Sequence, residues 1–186
     1  ISSAFTSLST ETLHFIMKSG WWLHLLGVLG FILYLPYSKH LHVFLAFPNA
    51  YLTNPNPKGH IAFMPEIFKE IKSMMGEAVE ASDPNEIPKF GAKDIMDLSQ
   101  KNLLDAYSCT ECGRCTSSCP ANITGKLLSP RKIMMDTRDR LEEVGKLMEA
   151  NNNEWKDDGK SLLHDYISVE ELRACTTCNA CVEECP

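Results

Sequence analysis

The chain has 186 residues, with 24 acidic and 18 basic side chains and a formal net charge of −6. This balance gives no basis for a nucleic-acid partner. A hydrophobic content of 44% with three Trp and eight Phe excludes intrinsic disorder. Eight cysteines, about 4% of the residues, are too few for a disulfide-dense secreted scaffold, and no secretory signal with a cleavage site is visible. Because the sequence starts at Ile1 and stops at Cys185-Pro186, we expect a piece of a longer protein.

The charges divide the chain into two physically different parts. Residues 1–65 carry three Lys against one Glu, and no acidic residue lies between Glu11 and Glu66. Residues 66–186 carry 15 basic against 23 acidic residues. An apolar segment is therefore joined to an acidic, water-facing one.

The apolar part contains 20 consecutive uncharged residues from Ser19 to Ser38. A helix of about 20 such residues crosses a hydrocarbon layer of about 30 Å. We expect Pro36 to kink this helix rather than end it. A buried helix of a soluble core is the weaker alternative, because the segment is apolar on every face. Aromatic residues stand near both ends of the segment, as in the belt of a membrane helix: Trp21, Trp22, Tyr34 and Tyr37.

The remaining segments predict helices separated by turn-rich linkers. Residues 48–63 contain three Pro and three Asn and indicate an exit from the membrane. An amphipathic helix is predicted from Pro65 to Ala81, followed by a linker over 82–91. A helix over 93–107 should turn Ile95, Leu98, Leu103 and Leu104 inward.

Two capping signals place the last helices. Ser129-Pro130 is an N-cap followed by a first-turn proline, and it opens a helix to about Ala150. A polar loop follows over 151–159. Ser168 and Glu171 form a capping box that starts the final helix. Because no segment alternates like a strand, the sequence predicts an all-α fold in three parts: a transmembrane segment over 1–47, a linker with an amphipathic helix over 48–92, and a cysteine-bearing domain over 93–186.

All eight cysteines fall into two identical C-x-x-C-x-x-C-x-x-x-C-P patterns. This is the bacterial spacing for cubane iron–sulfur clusters, in which the fourth cysteine ligates the other cluster. It predicts two 4Fe–4S clusters, of which cluster A is held by Cys109, Cys112, Cys115 and Cys185. Cluster B is correspondingly held by Cys175, Cys178, Cys181 and Cys119.

Two other uses of the cysteines fit the spacing less well. A zinc site made of two CxxC pairs would leave four cysteines over. Disulfides require cysteines that pair off, whereas three at three-residue spacing converge on one centre. Small and hydroxyl-bearing residues between the ligands could donate hydrogen bonds to sulfur. Ile123 and Val182 could shield the clusters from water. The positive charges of Arg114, Lys126 and Arg173 could offset the negative charge of the clusters.

The 55 residues between Cys119 and Cys175 are more than small bacterial ferredoxins have at this point. Residues 93–186 resemble the α-helical ferredoxin domain of heterodisulfide reductase, anaerobic glycerol-3-phosphate dehydrogenase and succinate dehydrogenase iron–sulfur subunits. The succinate dehydrogenase type places a three-iron cluster in one motif. Both motifs are complete here, which favours two 4Fe–4S clusters.

The apolar segment also contains histidines, and a histidine in a membrane helix indicates function. His24 and His42 lie 18 residues apart, which is five turns of a continuous helix and a rise of about 27 Å. Each could ligate one of two b-type haems on opposite sides of a membrane. His40 competes with His42, and interfacial or hydrogen-bonded histidines are the alternative.

The stretch from His24 through Pro36, Ser38 and Lys39 to His42 resembles the last membrane helix of the nitrate reductase gamma subunit and of the related membrane subunit of heterodisulfide reductase. That resemblance implies that His24 and His42 are axial ligands of different haems. The opposite ligands would lie on an earlier helix that this sequence lacks.

The resulting hypothesis is an electron-transfer part of an oxidoreductase, in which electrons pass between the quinone pool, haem b and a further cysteine-rich or flavin redox domain or subunit through the two clusters. It would lie in the cytoplasmic membrane, with the cysteine domain on the cytoplasmic side, as Lys39 and Lys58 indicate. The alternative is a membrane-anchored ferredoxin-type module with no haem or quinone chemistry.

Overall fold

The computed structural model describes residues 9–53, 55–57, 60, 64–76 and 91–185. These ranges contain helices and turns and no β-strand, with an isolated bridge between Leu163 and Ile167. The predicted all-α class is confirmed. The chain divides into two compact units, Ile1–Leu45 and Ala46–Pro186.

Helix α1, Thr10–Tyr34, is the main element of the first unit. It starts at Ser9, whose hydroxyl accepts the Thr12 backbone N–H at 3.3 Å. None of its residues is buried, and large side chains such as Leu23 are 74% exposed. In the described part of the chain, Thr10–Tyr37 is the segment long and apolar enough to cross a membrane. No residue in the most apolar window of this segment is buried.

The chain breaks the helix at Pro36 instead of kinking it, so that prediction is wrong. A 3-10 turn, Leu35–Tyr37, follows α1, and Ser38 is extended with φ −120° and ψ 164°. Pro36 supplies no N–H to continue the helical ladder. Ser38 donates its hydroxyl to Leu35 O at 3.0 Å and accepts the His40 N–H at 3.2 Å, which favours a new helix start.

The next two helices differ in extent from the sequence prediction. Helix α2, Leu41–Tyr51, contains Pro48, so the turn-rich exit begins four residues later than predicted. Helix α3, Pro65–Met74, starts where expected but ends early at Met75 and Gly76, where Gly76 has φ +79°. Residues 77–81 of the predicted helix and the linker over 82–90 lie outside the described residues.

The predicted helix over 93–107 is two elements. A 3-10 turn, Ile95–Asp97, is closed by a capping box between Asp94 and Asp97. Leu98 is then extended, with ψ 149°, and Ser99 caps α4, Gln100–Ser108. The Ser99 hydroxyl accepts the Asn102 N–H at 3.2 Å, and the sequence prediction did not include this cap. The inward orientation itself holds: Ile95 is buried, and Leu98 and Leu103 pack against it.

Short helices surround one long helix in the rest of this unit. They are α5, Arg114–Ser117; α6, Pro120–Ile123; α8, Val169–Arg173; and α9, Ala180–Glu183. The long helix α7, Pro130–Ala150, starts and ends where the sequence predicts, and so does the capping box of α8. A single π turn, Leu162–Tyr166, precedes α8.

Two small apolar cores hold this unit together. The first contains Ile95, Val144, Leu162 and Ile167, so it joins the 3-10 turn Ile95–Asp97 to the middle of α7 and to the region of the π turn. The second lies at the cysteines and contains Cys119, Ala121 and Leu128. Each fully buried aliphatic side chain contributes about 1.5–3 kcal/mol, so these few residues give the unit much of its stability.

Candidate iron–sulfur site

The first cysteine loop has a backbone conformation that brings N–H groups to its sulfurs. Glu111 and Gly113 both have positive φ, at 57° and 82°. The Glu111 N–H donates to Cys109 Sγ at 3.4 Å. The Arg114 N–H, followed by the Thr110 hydroxyl and the Arg114 charge, lowers the pKa of the Cys112 thiol. Each of these contacts stabilises thiolate, the form that binds metal.

The second cysteine loop repeats this conformation. Thr177 and Asn179 have φ of 53° and 59°, and the Thr177 N–H donates to Cys175 Sγ at 3.4 Å. The Ala180 N–H, followed by the Thr176 hydroxyl, lowers the pKa of the Cys178 thiol. The repeated sequence spacing therefore corresponds to a repeated structure.

The third and fourth cysteines of each pattern bring the two loops together. Cys115 lies on α5 and Cys181 on α9, and these two short helices pack against each other. Burial and then the neighbouring thiols of Cys175, Cys115 and Cys119 raise the pKa of Cys181. Cys119 itself is buried, as the N-cap residue of α6.

The last cysteine of the chain lies near the first loop. Burial raises the pKa of the Cys185 thiol, and the next contributions come from Cys109, Cys115 and Cys112, followed by Asp105. A thiol raises the pKa of another only at short range. Cys185 is thus near the first three cysteines, and Cys181 is near Cys115 and Cys119 as well as Cys175.

Helix α7 supports the first loop through its first turn. Thr116, between Cys115 and Cys119, shares a hydrogen bond of 3.1 Å between its Oγ1 and Ser129 Oγ. The Arg131 N–H donates to the same Oγ1 at 3.1 Å. The hydroxyl that follows Cys115 therefore helps to satisfy the start of α7.

The same turn of α7 also supports the second loop. Lys132 Nζ lies 2.8 Å from Asp136, 3.1 Å from Glu171 and 3.1 Å from the Tyr166 carbonyl. Glu171 belongs to α8, which leads directly into Cys175. Hydrogen bonds to Asp136 and Glu171 raise the pKa of Lys132, and the Ser168 N–H and then Lys132 lower that of Glu171.

A second ion pair joins α7 to the first loop. Arg138 Nη2 lies 3.0 Å from Glu111 Oε1, and both side chains are about three-quarters buried. Neither residue was a sequence candidate. They are 27 positions apart, and no local pattern connects them.

The residues expected to shield the clusters are placed at the surface. Ile123 is 68% exposed and Val182 is 41% exposed. Of the three cations expected to offset cluster charge, Arg114 acts on a cysteine, since its charge contributes to the lowered pKa of Cys112.

The histidines lie in the first unit. His24 is exposed on α1, and His42 is half-buried in the first turn of α2. The break at Pro36 removes the continuous helix on which their five-turn alignment depends. His42 Nδ1 lies 2.6 Å from the Lys39 carbonyl oxygen, which can only accept, so Nδ1–H is the donor and Nε2 is the nitrogen outside this bond. The His40 ring instead lies 6.1 Å from the Phe31 ring.

The donor chemistry fits two iron–sulfur clusters. Eight free thiols form two sets in equivalent loops, and backbone N–H groups point at one sulfur or more in each loop. Among the described residues, no group of three His, Cys, Asp or Glu side chains is placed to hold a single metal ion.

Comparison with known proteins gives the same chemistry. The family model of the 4Fe–4S dicluster domain matches residues 108–186. A probable iron–sulfur-binding oxidoreductase, FadF, of Bacillus subtilis is 32% identical over 92% of this chain and 26% of its own length. An EtfAB:quinone oxidoreductase of Syntrophomonas wolfei is 30% identical over 100% of this chain and 26% of its own length.

The resemblance to heterodisulfide reductase is also confirmed. One subunit of the ferredoxin/F(420)H(2)-dependent CoB–CoM heterodisulfide reductase of Methanosarcina acetivorans is 33% identical over 51% of this chain and 45% of its own length. No solved structure matches the chain. The chain spans about a quarter of the length of the first two relatives. Its cysteine-bearing segment, residues 108–186, matches the 4Fe–4S dicluster domain family, and the Bacillus subtilis relative of the chain is named as a probable iron–sulfur-binding oxidoreductase.

Proposed function

We propose that the chain is the electron-transfer part of a membrane-bound oxidoreductase and holds two cross-ligated 4Fe–4S clusters. The observation that carries this proposal is that α5 and α9 bring together two equivalent cysteine loops, each of which donates a backbone N–H to its first cysteine, with Cys185 near Cys109, Cys112 and Cys115. Cluster A then takes its fourth ligand from the second pattern, and cluster B takes its fourth ligand from the first.

The protein contributes thiolates, hydrogen bonds and a fixed spacing. Burial of Cys119 and the packing of α5 on α9 hold the two ligand sets together, and backbone N–H groups stabilise the charge on the sulfurs. When bound, the clusters supply one-electron chemistry. In this proposal the cluster-binding domain is 93–186, with the membrane segment over 1–47 and the linker over 48–92.

The membrane part of the proposal rests on α1. Its exposed apolar surface and the belt residues Trp21 and Trp22 suit a lipid environment. The name of the Syntrophomonas relative supports quinone as the membrane reactant. We assign the cluster domain to the cytoplasmic side of the cytoplasmic membrane, where it would exchange electrons with a further cysteine-rich or flavin redox domain or subunit.

We include two b-type haems in this proposal, with His24 and His42 as one axial ligand each. The support for His42 is the hydrogen bond that its Nδ1–H donates to the Lys39 carbonyl. A histidine that binds a metal through one ring nitrogen usually donates the N–H of the other to a group such as a backbone carbonyl. The alternative function is a membrane-anchored ferredoxin-type module without haem or quinone chemistry.

Metal analysis of the intact protein tests the proposal. We expect eight non-haem iron atoms and eight acid-labile sulfides per chain, and a value near four of each would refute the two-cluster assignment. In the complete protein in its membrane, we also expect reducible haem bands that quinol addition reduces. Eight iron atoms without haem bands would instead support the ferredoxin-type alternative.

A further inference from the structure

The two cysteine loops share one backbone conformation but differ in charge at several equivalent positions, of which Glu111 and Thr177 have the same hydrogen bond to a cysteine. Glu111 and Thr177 each stand two residues after the first cysteine of the loop, with φ of 57° and 53°. Each donates its N–H to that cysteine at 3.4 Å. The fold therefore provides an internal comparison in which geometry is constant and the side chain varies.

The side chains at this position have different surroundings. The Glu111 carboxylate forms its ion pair with Arg138 at 3.0 Å, and Arg138 Nε lies 3.8 Å from Asp139. The Thr177 hydroxyl donates to the Thr176 carbonyl at 2.7 Å, within its own loop. At this position the first loop thus has a carboxylate paired with a cation, whereas the second loop has a neutral hydroxyl.

We propose that Arg138 is a positioning residue that, through Glu111, sets the reduction potential of cluster A separately from that of cluster B. The inference rests on the proposed presence of two clusters. A cluster gains one negative charge when it takes up one electron, so a nearby carboxylate disfavours reduction and a nearby cation favours it. The pair is about three-quarters buried, which weakens solvent screening of both charges.

Opposite shifts are expected when the two partners are changed singly. Arg138→Gln leaves the Glu111 carboxylate without this cation, and the ratio of reduced to oxidised cluster A at fixed potential should fall about tenfold, equal to 59 mV for a one-electron couple. Glu111→Gln leaves Arg138 in place and should raise that ratio by a similar factor. The double variant should return close to the unaltered value.

A purely structural role predicts a different pattern. If the pair only held the loop in shape, each single variant would disturb the same N–H···S contact, and both would move the potential in the same direction. The sign of the Glu111→Gln shift therefore separates the two roles.

The experiment is an EPR-monitored redox titration of the intact protein, with iron counted in every variant. Thr177→Glu is the matched variant in the second loop. It adds a carboxylate there and should lower the other midpoint, which identifies cluster B. Lys146→Gln removes an exposed cation two turns further along α7 and should move neither midpoint.

Each outcome decides the inference. Opposite shifts of one midpoint in the two single variants support it. Shifts of equal sign, a shift of both midpoints together, no shift, or loss of cluster A in both single variants would overturn it. In each of these cases, eight non-haem iron atoms in the unaltered protein would leave the proposed function standing. Fewer than eight non-haem iron atoms in the unaltered protein would refute the proposed function, and the inference with it.

Discussion

Arg140 Nε and Nη2 donate to the two carboxylate oxygens of Asp94, at 3.1 and 2.8 Å. Arg140 is fully buried in the middle of α7, and its other donations go to Asp158, at 2.6 and 2.9 Å, and to the Lys160 carbonyl. One guanidinium therefore ties the start of the cluster-binding unit and the loop after α7 to this helix. The hydrogen bonds that Arg140 donates to Asp158 and Asp94 raise its pKa well above its usual range, so it stays charged.

Arg140→Met should destabilise the cluster-binding unit strongly. Removing one partner of a buried ion pair costs about 3 kcal/mol or more, because Asp94 and Asp158 keep their charges without the guanidinium. Urea unfolding of the intact protein in detergent would measure this loss. Arg131→Met, an exposed change on the same helix, is the control and should cost under about 0.5 kcal/mol. Equal midpoints for the two variants would contradict the assigned role.

Acidification should weaken the same network through Asp158. Hydrogen bonds from Arg140 lower the pKa of this carboxyl from 3.8 to about 2. A carboxyl with a lowered pKa in the folded state adds stability at neutral pH, and this contribution is lost as the pH falls from about 4 to 2. Asp158→Asn should therefore be less stable at neutral pH and should lose less of its stability on acidification than the unaltered protein.

The measurement for Asp158 is the urea midpoint at a series of pH values, followed by tryptophan fluorescence. Trp155 lies over the Arg140 guanidinium at 6.0 Å and reports on this region. Asp157→Asn is the matched control, since its carboxylate accepts the Gly159 N–H in a local turn. A parallel pH dependence in unaltered protein and Asp158→Asn would show that another group controls the acid transition.

Cross-ligation predicts which cluster each fourth cysteine serves. Cys119→Ser should alter the EPR signal that Cys178→Ser alters, because both are ligands of cluster B. Cys185→Ser should correspondingly alter the EPR signal that Cys112→Ser alters. The opposite matching would place each fourth cysteine in the cluster of its own pattern and would refute the crossed assignment.

The histidine assignment predicts a difference between neighbours. His42→Ala should remove about half of the reducible haem absorbance of the complete protein, because His42 is assigned to one of the two haems. Its Nδ1 is bonded to the Lys39 carbonyl, so Nε2 is the nitrogen that would bind the iron. His40→Ala, two residues earlier, should retain it. Difference spectra of membranes, reduced minus oxidised, measure both. Loss of haem in His40→Ala alone would transfer the ligand role to His40.

Local signals in the sequence were sufficient for much of the fold. The cap at Ser129, the proline after it and the capping box of Ser168 with Glu171 act within one helical turn, and the structure follows them closely. The all-α class and the 4Fe–4S domain were predicted for the same reason, since eight cysteines at fixed spacing leave few alternatives.

The errors arose where a polar side chain competed with an apolar pattern. The hydrophobic pattern predicted one continuous helix through Ser38 and another through Ser99. Each of these hydroxyls instead accepts a backbone N–H where a new helix begins. The two ion pairs that organise the cluster-binding unit were missed because their partners are far apart in sequence: 27 residues for Glu111 and Arg138, and 46 for Asp94 and Arg140. Such contacts depend on how helices pack, which a pattern within one helix does not encode.

The support of both loops by one turn of α7 has a consequence for assembly. Thr116 contacts Ser129 and the Arg131 N–H, and Lys132 contacts Glu171 ahead of the second loop. Filling either loop with metal therefore orders the shared turn and lowers the entropy cost of ordering the other loop. Maturation should for this reason be cooperative, with apo and fully loaded chains predominating over half-loaded ones when iron is limiting.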